Sequence, residues 1–423
     1  MKIDYLVARE ILDSRGNPTI EVEMESHGKI AIASAPSGAS TGKFEAIELR
    51  DNEKNRYHGK GVKKVIDYIN GVNVRKRILS EEYNSITDFD EFIIALDGTK
   101  NKSKLGANAT TALSLCFAKL YAEVNNMQLF ELVNKEFHKI VYKIPLPFAN
   151  ILNGGKHAGN NLAIQEFMIV PITDTYSEAV RVVSETYHEL KKILKENYGS
   201  SAINVGDEGG FAPNLKECED AIKLISKAIE NLGYQKVIRI SLDAAASSFY
   251  ENNVYKIDGK ELNAEQLLDY YIDLVKRYKL FSIEDPFQEE DFDSFAMLLK
   301  EVKGKCRIVG DDLTVTNIVR VDTALKKKSI DTLLLKVNQI GTLKEALEAA
   351  QLVYANKCEF IVSHRSGETE DNWLSDIATG IHALGIKLGA PARGERTSKY
   401  NRLLRIEQKT RFIKYVGKYL KSN

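Results

Sequence analysis

The sequence predicts an α/β protein in which a β/α barrel follows a smaller N-terminal α+β domain. At 423 residues the chain is long for one ordinary hydrophobic core. Strand patterns precede helix patterns in the first part, whereas strands and helices alternate in the second. In the second part, charged residues recur directly after apolar runs, roughly 20 to 45 residues apart, as at the strand ends of a β/α barrel.

The predicted N-terminal domain covers residues 1–137. It begins with alternating apolar and polar residues, NPTIEVEMES and GKIAIASAP, which predict strand, turn and strand with Gly28 in the turn. The segment SGASTG (37–42) predicts a loop, because small residues and glycines favour turns. Helical periodicity at 60–80 and at 106–124 predicts helices.

The predicted barrel covers residues 138–423. A long amphipathic helix is expected near 176–197, and further helices are expected at 263–279 and 342–357. Asn263 stands at the start of the second of these helices and is its expected N-cap. The alternation of strands and helices continues to the end of the chain.

Composition limits the class of protein. The chain has 59 Lys plus Arg and 59 Asp plus Glu, so its net charge of zero gives no indication of a nucleic acid or an anionic membrane as partner. Its four cysteines lack CxxC spacing, which favours reduced thiols in a cytosolic protein. The N-terminus lacks a signal-peptide pattern, and no apolar run is long enough to span a bilayer, so a cytoplasmic location is expected.

Charged residues stand at the ends of six successive apolar runs, namely Asp243, Glu284, Asp311, Lys336, His364 and Lys387. The three carboxylates are hard oxygen ligands of the kind that Mg²⁺ prefers. Each carboxylate alone is more simply explained as a strand-end cap or a salt-bridge partner. Three of them on neighbouring strand ends, beside two lysines, favour a divalent-metal site next to an amine.

Lys336 lies within the apolar strand LLLKV, where a lysine is rarely buried without a purpose. One interpretation is a buried ion pair with one of the carboxylates. The other is a general base whose pKa is lowered by metal charge and by Lys387.

Three polar motifs add weaker signals. GDEGG (206–210) projects a carboxylate, Glu208, from between close-packed glycines, but lacks the GK[ST] of a P-loop. GGKHAG places His157 in a flexible segment, for which a simple turn is the default interpretation. SHRSGE offers Arg365 and Ser366 to a phosphate or carboxylate, although an arginine after a strand is more often a surface residue.

Taken in order, these motifs resemble the enolase family nearly from end to end. The resemblance rests on SGASTG, NGGKHAGN, QEFMIVP, NVGDEGGFAPN, SLDAAAS, SIEDPF, GDDLTVTN, LLLKVNQIGT, SHRSGET and GAPARGER. It implies a lyase of glycolysis and gluconeogenesis that dehydrates 2-phosphoglycerate reversibly to phosphoenolpyruvate. It also implies that the barrel is a modified β/α (TIM-like) barrel and that the chain forms a homodimer or higher oligomer.

By this resemblance, the enzyme uses two Mg²⁺ ions in each active site. Asp243, Glu284 and Asp311 would hold the first ion. Ser40 would help to hold the second ion, which arrives with the substrate.

The resemblance also implies roles for the residues that contact substrate. Lys336 would remove the proton from C2, and Glu208 would protonate the leaving hydroxyl at C3. Arg365 and Ser366 would hold the phosphate, and Lys387 would help to position the substrate.

The remaining implied substrate-binding residues are His157, on a mobile loop, and Gln165, Glu166 and His364. Two rival interpretations stay open: another proton-abstracting enzyme on the same fold, such as an acid-sugar dehydratase or a lactonising enzyme, and a non-catalytic binding protein. Activity on 2-phosphoglycerate would decide between the enzymes. The presence of every implied ligand and acid–base residue argues against the binding protein.

Overall fold

The N-terminal part of the chain forms a three-stranded antiparallel sheet. The computed structural model describes residues 1–39, 41–138, 141–410 and 413–421. The strands of this sheet are β1 (Tyr5–Leu12), β2 (Pro18–Ser26) and β3 (Lys29–Ser34). The turn between β2 and β3 contains Gly28 at φ +67°, so the predicted hairpin is confirmed. The additional strand, β1, pairs with β2 along its full length.

Helices follow this sheet. They are α1 (Lys63–Asn70), α2 (Val72–Ser80), α3 (Ile86–Asp97), α4 (Ala107–Val124) and α5 (Leu129–Glu136). The segment 60–80 contains α1 and α2 rather than one helix, because Gly71 between them has an extended backbone (φ −60°, ψ 144°). The prediction for 106–124 is confirmed by α4, which packs on β2 and β3 and is buried along most of its length.

The second part of the chain contains a closed barrel of eight strands together with short accessory strands. In chain order the strands are β4 (Lys143–Ile144), β5 (Leu146–Asn153), β6 (Glu166–Pro171), β7 (Ile238–Asp243), β8 (Tyr250–Glu251), β9 (Val254–Ile257), β10 (Lys260–Leu262), β11 (Ser282–Glu284), β12 (Arg307–Gly310), β13 (Thr332–Leu335), β14 (Glu359–Ser363), β15 (Gly385–Lys387) and β16 (Lys414–Tyr415). The barrel runs β5, β6, β7, then β11 to β15, and closes between β15 and β5. β6 is antiparallel to both of its neighbours, whereas the other barrel strands pair in parallel, so the predicted modified β/α barrel is confirmed.

Helices surround the barrel. They are α6 (Tyr176–Tyr198), α7 (Cys218–Asn231), α8 (Ala264–Tyr278), α9 (Phe292–Val302), α10 (Ile318–Lys327), α11 (Val337–Ile340), α12 (Leu343–Ala355), α13 (Trp373–Gly380), α14 (Gly394–Lys409) and α15 (Val416–Lys421). The helices predicted near 176–197, 263–279 and 342–357 are α6, α8 and α12. Asn263 caps α8 as predicted: its side chain accepts from the backbone N–H of Gln266, whose side chain accepts from the backbone N–H of Asn263.

The cysteines and the helix lengths bear on the predicted compartment. All four cysteines are free thiols, and Cys116, Cys218 and Cys306 are buried. Among the residues that the structure describes, no helix combines the length and the apolar character that crossing a membrane requires.

Buried polar contacts join the N-terminal helices to the barrel helix α12. The Asp90 carboxylate in α3 accepts from the Lys344 backbone N–H at 2.8 Å and from the Ser114 hydroxyl at 2.9 Å. Lys102 is buried and donates to Glu345 at 2.8 Å. Because a buried charge is costly without partners, these contacts fix how the two parts pack.

Replacement of Asp90 by Asn should flatten the pH dependence of stability. Burial raises the pKa of Asp90 to about 7, whereas an aspartate in an unfolded chain has a pKa of about 3.9. The folded protein therefore keeps a proton that the unfolded chain loses, so this contribution is full below about pH 4 and is lost as the pH rises through about 7. At about pH 8 Asp90→Asn should raise the free energy of unfolding by up to about 4 kcal/mol.

Urea unfolding at about pH 4 and about pH 8 measures this difference. The control is Glu91→Gln, which removes the same charge from an exposed position on the same helix. If the free energy of unfolding depends on pH equally in Asp90→Asn and in the unmodified chain, the pKa of Asp90 is not raised in the folded protein.

Candidate active site

The charged residues predicted at strand ends lie where the sequence placed them. Asp243, Glu284 and Lys387 are the last residues of β7, β11 and β15. The residues that directly follow β12, β13 and β14 are Asp311, Lys336 and His364. Because seven of the eight barrel strands run in the same direction, these ends meet at one rim of the barrel.

The Lys387 ammonium group lies between three buried carboxylates. Its Nζ is 3.1 Å from Glu166, 3.2 Å from Asp243 and 2.9 Å from Glu284. Burial alone would lower the pKa of Lys387, but these carboxylates outweigh burial and raise it well above its usual value. Lys387 is therefore a fixed cation that holds three strand-end carboxylates together.

Lys336 forms the buried ion pair that was one of its two interpretations. Its Nζ is 2.5 Å from Asp311 Oδ2, and Asp311 Oδ1 accepts from the Gln339 amide at 2.9 Å. Burial lowers the pKa of Lys336, and so does Lys387, as expected, but the Asp311 carboxylate outweighs both and raises it.

The rim carries more negative than positive charge. Its buried carboxylates, Glu166, Glu208, Asp243, Glu284 and Asp311, outnumber the ammonium groups of Lys336 and Lys387. Burial, and then the neighbouring Glu208, raises the pKa of Glu166 well above its usual value. Burial and Asp243 do the same for Glu284. A bound cation would relieve this repulsion, and carboxylate oxygens are suitable ligands for a hard divalent ion.

Two groups of side chains in the described residues have ligand atoms within 4.8 Å of one another and could hold a metal ion. They are His157, Glu166 and Glu208, and Asp285, Asp311 and Asp312. The predicted trio overlaps these groups at Asp311 only, since Lys387 lies between Asp243 and Glu284. The donor set nevertheless fits Mg²⁺, because it consists of acidic oxygens around one small cavity. Ser40 lies outside the described residues.

Glu208 projects from a loop whose glycines allow close packing against neighbouring segments. A Cβ on Gly210 would lie 2.1 Å from the Asn153 side-chain oxygen, and a Cβ on Gly206 would lie 2.3 Å from the His157 carbonyl oxygen. The loop is thereby held against β5 and against the His157 segment. This packing places a carboxylate over the barrel rim.

The contacts of Glu208 determine its charge. Asn150 donates to Glu208 Oε2 at 3.0 Å, and His364 Nε2 is 3.3 Å from the same oxygen. His157 Nδ1 is 3.7 Å from Glu208 Oε1. Burial alone would raise the pKa of Glu208, but His364, His157 and Arg396 outweigh it and lower the pKa well below its usual value.

The histidines beside Glu208 are buried. Burial lowers the pKa of His364 to about 4 despite the nearby Glu208, so its ring is neutral at neutral pH. Burial also lowers the pKa of His157. Gln165 lies beside them, and its amide is 3.4 Å from Asp243 Oδ2.

The predicted phosphate-binding residues lie on the opposite side of the cavity. Arg365 forms a two-point ion pair with Glu45, with N–O distances of 3.0 and 3.1 Å, and donates to Asn338 at 3.2 Å. The Ser366 hydroxyl accepts from the Ala39 backbone N–H at 2.6 Å. These contacts join the strand-end loop 364–368 to the loop SGASTG, which begins at residue 37.

The predicted residues that the structure describes line one small cavity or lie directly behind its wall. The lining includes Glu208 and Lys336, and the cavity volume is about 20 Å³, enough for about one water molecule. Arg365 and Gly38 line both this cavity and an adjoining one of about 340 Å³. A substrate of several heavy atoms therefore needs more room than this cavity has on its own.

Sequence reasoning missed three residues at the site. Asp285 has φ +42° and accepts from the backbone N–H groups of Asp311 and Asp312. Nothing in the sequence around Glu45 marks it as a site residue. Arg396 could have been recognised from its position in the first turn of α14, where a positive charge is unfavourable unless other groups stabilise it.

Comparison with known proteins is consistent with this geometry. The family model for the enolase N-terminal domain matches residues 3–133, and the model for the enolase C-terminal TIM barrel domain matches residues 141–423. The enolase of Methanocaldococcus jannaschii is 51% identical over 419 residues, which cover 99% of this chain and 97% of that protein.

Two further relatives agree over similar lengths. The enolase of Thermococcus gammatolerans is 48% identical over 99% of this chain and 97% of its own length. The enolase of Methanosarcina barkeri is 50% identical over 96% of this chain and 94% of its own length. With both domain models and full-length relatives matched, the chain belongs to the enolase family of hydro-lyases.

Proposed function

We propose that Lys336 and Glu208 are the base and the acid with which this enolase-family chain interconverts 2-phosphoglycerate and phosphoenolpyruvate. The observation that carries this proposal is that both side chains line the same small cavity from different parts of the barrel rim. Lys336 follows β13, whereas Glu208 comes from the loop between α6 and α7. Proton transfer at adjacent carbons of one substrate needs such a pair.

In the dehydration direction, the neutral amine of Lys336 takes the proton from C2. The C3–O bond then breaks while Glu208 gives a proton to the departing hydroxyl, which leaves as water. The electron pair left at C2 becomes the new C2–C3 double bond. Both side chains end this half-reaction in the opposite protonation state.

The neighbours of Lys336 and Glu208 favour the protonation states from which the hydration direction starts. Asp311 favours the ammonium form of Lys336, and the neighbours of Glu208 favour its carboxylate. A carboxylate can accept a proton from the water that attacks C3, and an ammonium can give a proton to C2. Asp311 must share its charge with another cation before Lys336 can act as a base in the dehydration direction.

Asp243, Glu284 and Asp311 would hold one Mg²⁺, and Ser40 would help to hold a second. When bound, Mg²⁺ neutralises the negative charge that builds up on the substrate carboxylate as the C2 proton leaves. The excess of buried carboxylates at the rim supports a requirement for a cation. The carboxylates would also hold Lys387 in place beside the substrate.

The other side chains orient the substrate. Arg365 and Ser366 would bind the phosphate, because a guanidinium group presents two parallel donors to an anion. His157, Gln165, Glu166 and His364 would surround the leaving hydroxyl together with Glu208. All four residues are buried, which restricts their movement.

Three broader expectations also remain proposals. Domains of residues 1–137 and 138–423 are supported by the helix α5 ending at Glu136 and the strand β4 beginning at Lys143. A homodimer is supported by exposed apolar side chains on the N-terminal sheet, among them Leu12 and Ile30. A cytoplasmic location is supported by the free thiols.

Two variants should distinguish proton removal at C2 from protonation of the leaving hydroxyl at C3. Glu208→Gln keeps Lys336, so it should still exchange the C2 hydrogen of 2-phosphoglycerate with deuterated water while forming little phosphoenolpyruvate. Lys336→Ala should lose both exchange and product by a factor on the order of 10² or more, since it lacks the base. Nuclear magnetic resonance of the C2 position over time measures exchange, and product is measured in the same samples.

The matched control for Lys336→Ala is Lys328→Ala, which removes a lysine from the loop that precedes β13, outside the site. It should exchange and turn over substrate normally. Normal exchange in Lys336→Ala together with none in Glu208→Gln would reverse the two roles.

A second prediction concerns the phosphate side of the site. Glu45→Gln removes the carboxylate charge that faces the buried Arg365 guanidinium, so it should reduce the free energy of unfolding by about 3 kcal/mol or more. Inorganic phosphate should restore part of this loss, because it supplies a negative charge to the same guanidinium. Thermal unfolding with and without phosphate measures both effects.

The control is Glu48→Gln in the same loop, because Glu48 pairs with Arg50 rather than with Arg365. Phosphate should stabilise this control no more than it stabilises the unmodified chain. If phosphate stabilises both variants equally, Arg365 does not bind it at this position.

A further inference from the structure

A buried arginine outside the predicted residue set joins two sides of the site. Arg396, in the first turn of α14, has no exposed surface. Its Nη1 is 2.5 Å from His364 Nδ1 and 2.6 Å from the Arg365 carbonyl oxygen. Its Nη2 donates to the Ser366 carbonyl at 2.5 Å and to the Asp207 carbonyl at 3.1 Å.

These contacts assign the proton on the His364 ring. An arginine side chain is always protonated and has no acceptor atom, so at His364 Nδ1 it can only donate. Nδ1 must therefore carry a lone pair. In a neutral imidazole the single proton then lies on Nε2.

The protonated nitrogen faces the acid side of the cavity. His364 Nε2 is 3.3 Å from Glu208 Oε2, and it has no well-aligned acceptor among the residues that the structure describes. The ring thus presents an N–H to Glu208 and to an oxygen atom that enters beside it. With Nδ1 already occupied by a donor, the ring has no nitrogen free to take up a proton.

We propose that Arg396 is a positioning residue that fixes His364 as the Nε2–H tautomer, so that His364 donates a hydrogen bond at the Glu208 side and does not accept a proton there. This inference rests on the proposed role of Glu208 and deepens it. Of the pair, Glu208 alone exchanges the proton with the leaving oxygen, while His364 orients that oxygen and the carboxylate.

The surroundings of Arg396 argue against a purely structural role. Its guanidinium group holds the Asp207 carbonyl next to Glu208 and the carbonyls of Arg365 and Ser366. It therefore sets the distance between the loop of the acid and the loop of the phosphate-binding residues. An arginine that served only to neutralise a buried carboxylate would not need N–H groups directed at these carbonyl oxygens and at the His364 ring. The nearest carboxylate, Glu395, is 3.5 Å from Nε rather than on the face that contacts His364.

The assignment can be tested on the unmodified protein, with no variant of Arg396 required. The chain has seven histidines, so selective ¹⁵N-histidine labelling gives few signals. His364→Gln identifies the His364 signals by their loss. Nitrogen shifts and nitrogen–carbon-proton couplings at neutral pH should show a neutral ring with the proton on Nε2. A proton on Nδ1, or on both nitrogens, overturns the proposal.

Variants then test whether Arg396 is the cause. In Arg396→Gln, whose side-chain amide can either donate to Nδ1 or accept from it, the His364 signals should change to a mixture of tautomers. Formation of phosphoenolpyruvate should fall by about tenfold or more through kcat, with a smaller change in KM, while exchange at C2 persists. The control is Arg393→Gln, which also removes an arginine bound to the 206–210 loop, at the Gly206 carbonyl, but does not contact His364.

The control should keep the His364 signals of the unmodified chain. Unchanged His364 signals in a folded Arg396 variant overturn the proposal. If an Arg396 variant does not fold, the spectrum of the unmodified chain decides alone. If the unmodified chain shows the Nε2–H tautomer but forms no phosphoenolpyruvate, the tautomer assignment stands and the proposed function fails.

Discussion

The site depends on one buried cation, the ammonium group of Lys387, which contacts Glu166, Asp243 and Glu284 at once. Three carboxylates at the rim ends of the neighbouring strands β6, β7 and β11 cannot move apart to relieve their repulsion. Removing such charges from water costs several kcal/mol for each ion unless partners compensate them. The other strand ends can therefore carry charge only because Lys387, at the end of β15, places its ammonium group between them.

The same dependence on a close partner applies to the other charged groups at the rim. Each titratable group has its charge set by a particular neighbour: Lys336 by Asp311, and Glu208 by His364 and His157. A substrate or a cation that enters the cavity changes several of these pairs together. The buried excess of carboxylates favours binding of positive charge. The Arg365–Glu45 pair places a guanidinium group, the proposed phosphate ligand, beside the same cavity.

Much of the fold was predictable because its signals are local. The spacing of charged residues after apolar runs reflects strand-plus-helix units, and Asn263 capping α8 follows from a few adjacent residues. The break at Gly71 was not predicted, because helical periodicity continues on both sides of it. The antiparallel direction of β6 was not predicted either, since apolar strand residues have no signature of strand direction.

The sequence predicted which strand-end residues gather at the rim. It did not predict which of them pair with one another. Its charged residues gather at one rim because every barrel fold brings strand ends together. Whether Lys336 would pair with Asp311 or with another carboxylate depends on side-chain packing across strands, and so does the placement of Lys387 among three carboxylates. Glu45 and Arg396 come from segments distant in the chain, and only the tertiary structure places them against Arg365 and His364.

We propose that dehydration of 2-phosphoglycerate at this carboxylate-rich rim requires a bound divalent cation. The rate of phosphoenolpyruvate formation by the full chain can be measured before chelation, after removal of divalent ions, and after titration with Mg²⁺. This requirement predicts that chelation abolishes the rate, that Mg²⁺ restores it, and that circular dichroism shows an intact fold throughout. An undiminished rate in the chelated protein, or no phosphoenolpyruvate at saturating Mg²⁺, would contradict it.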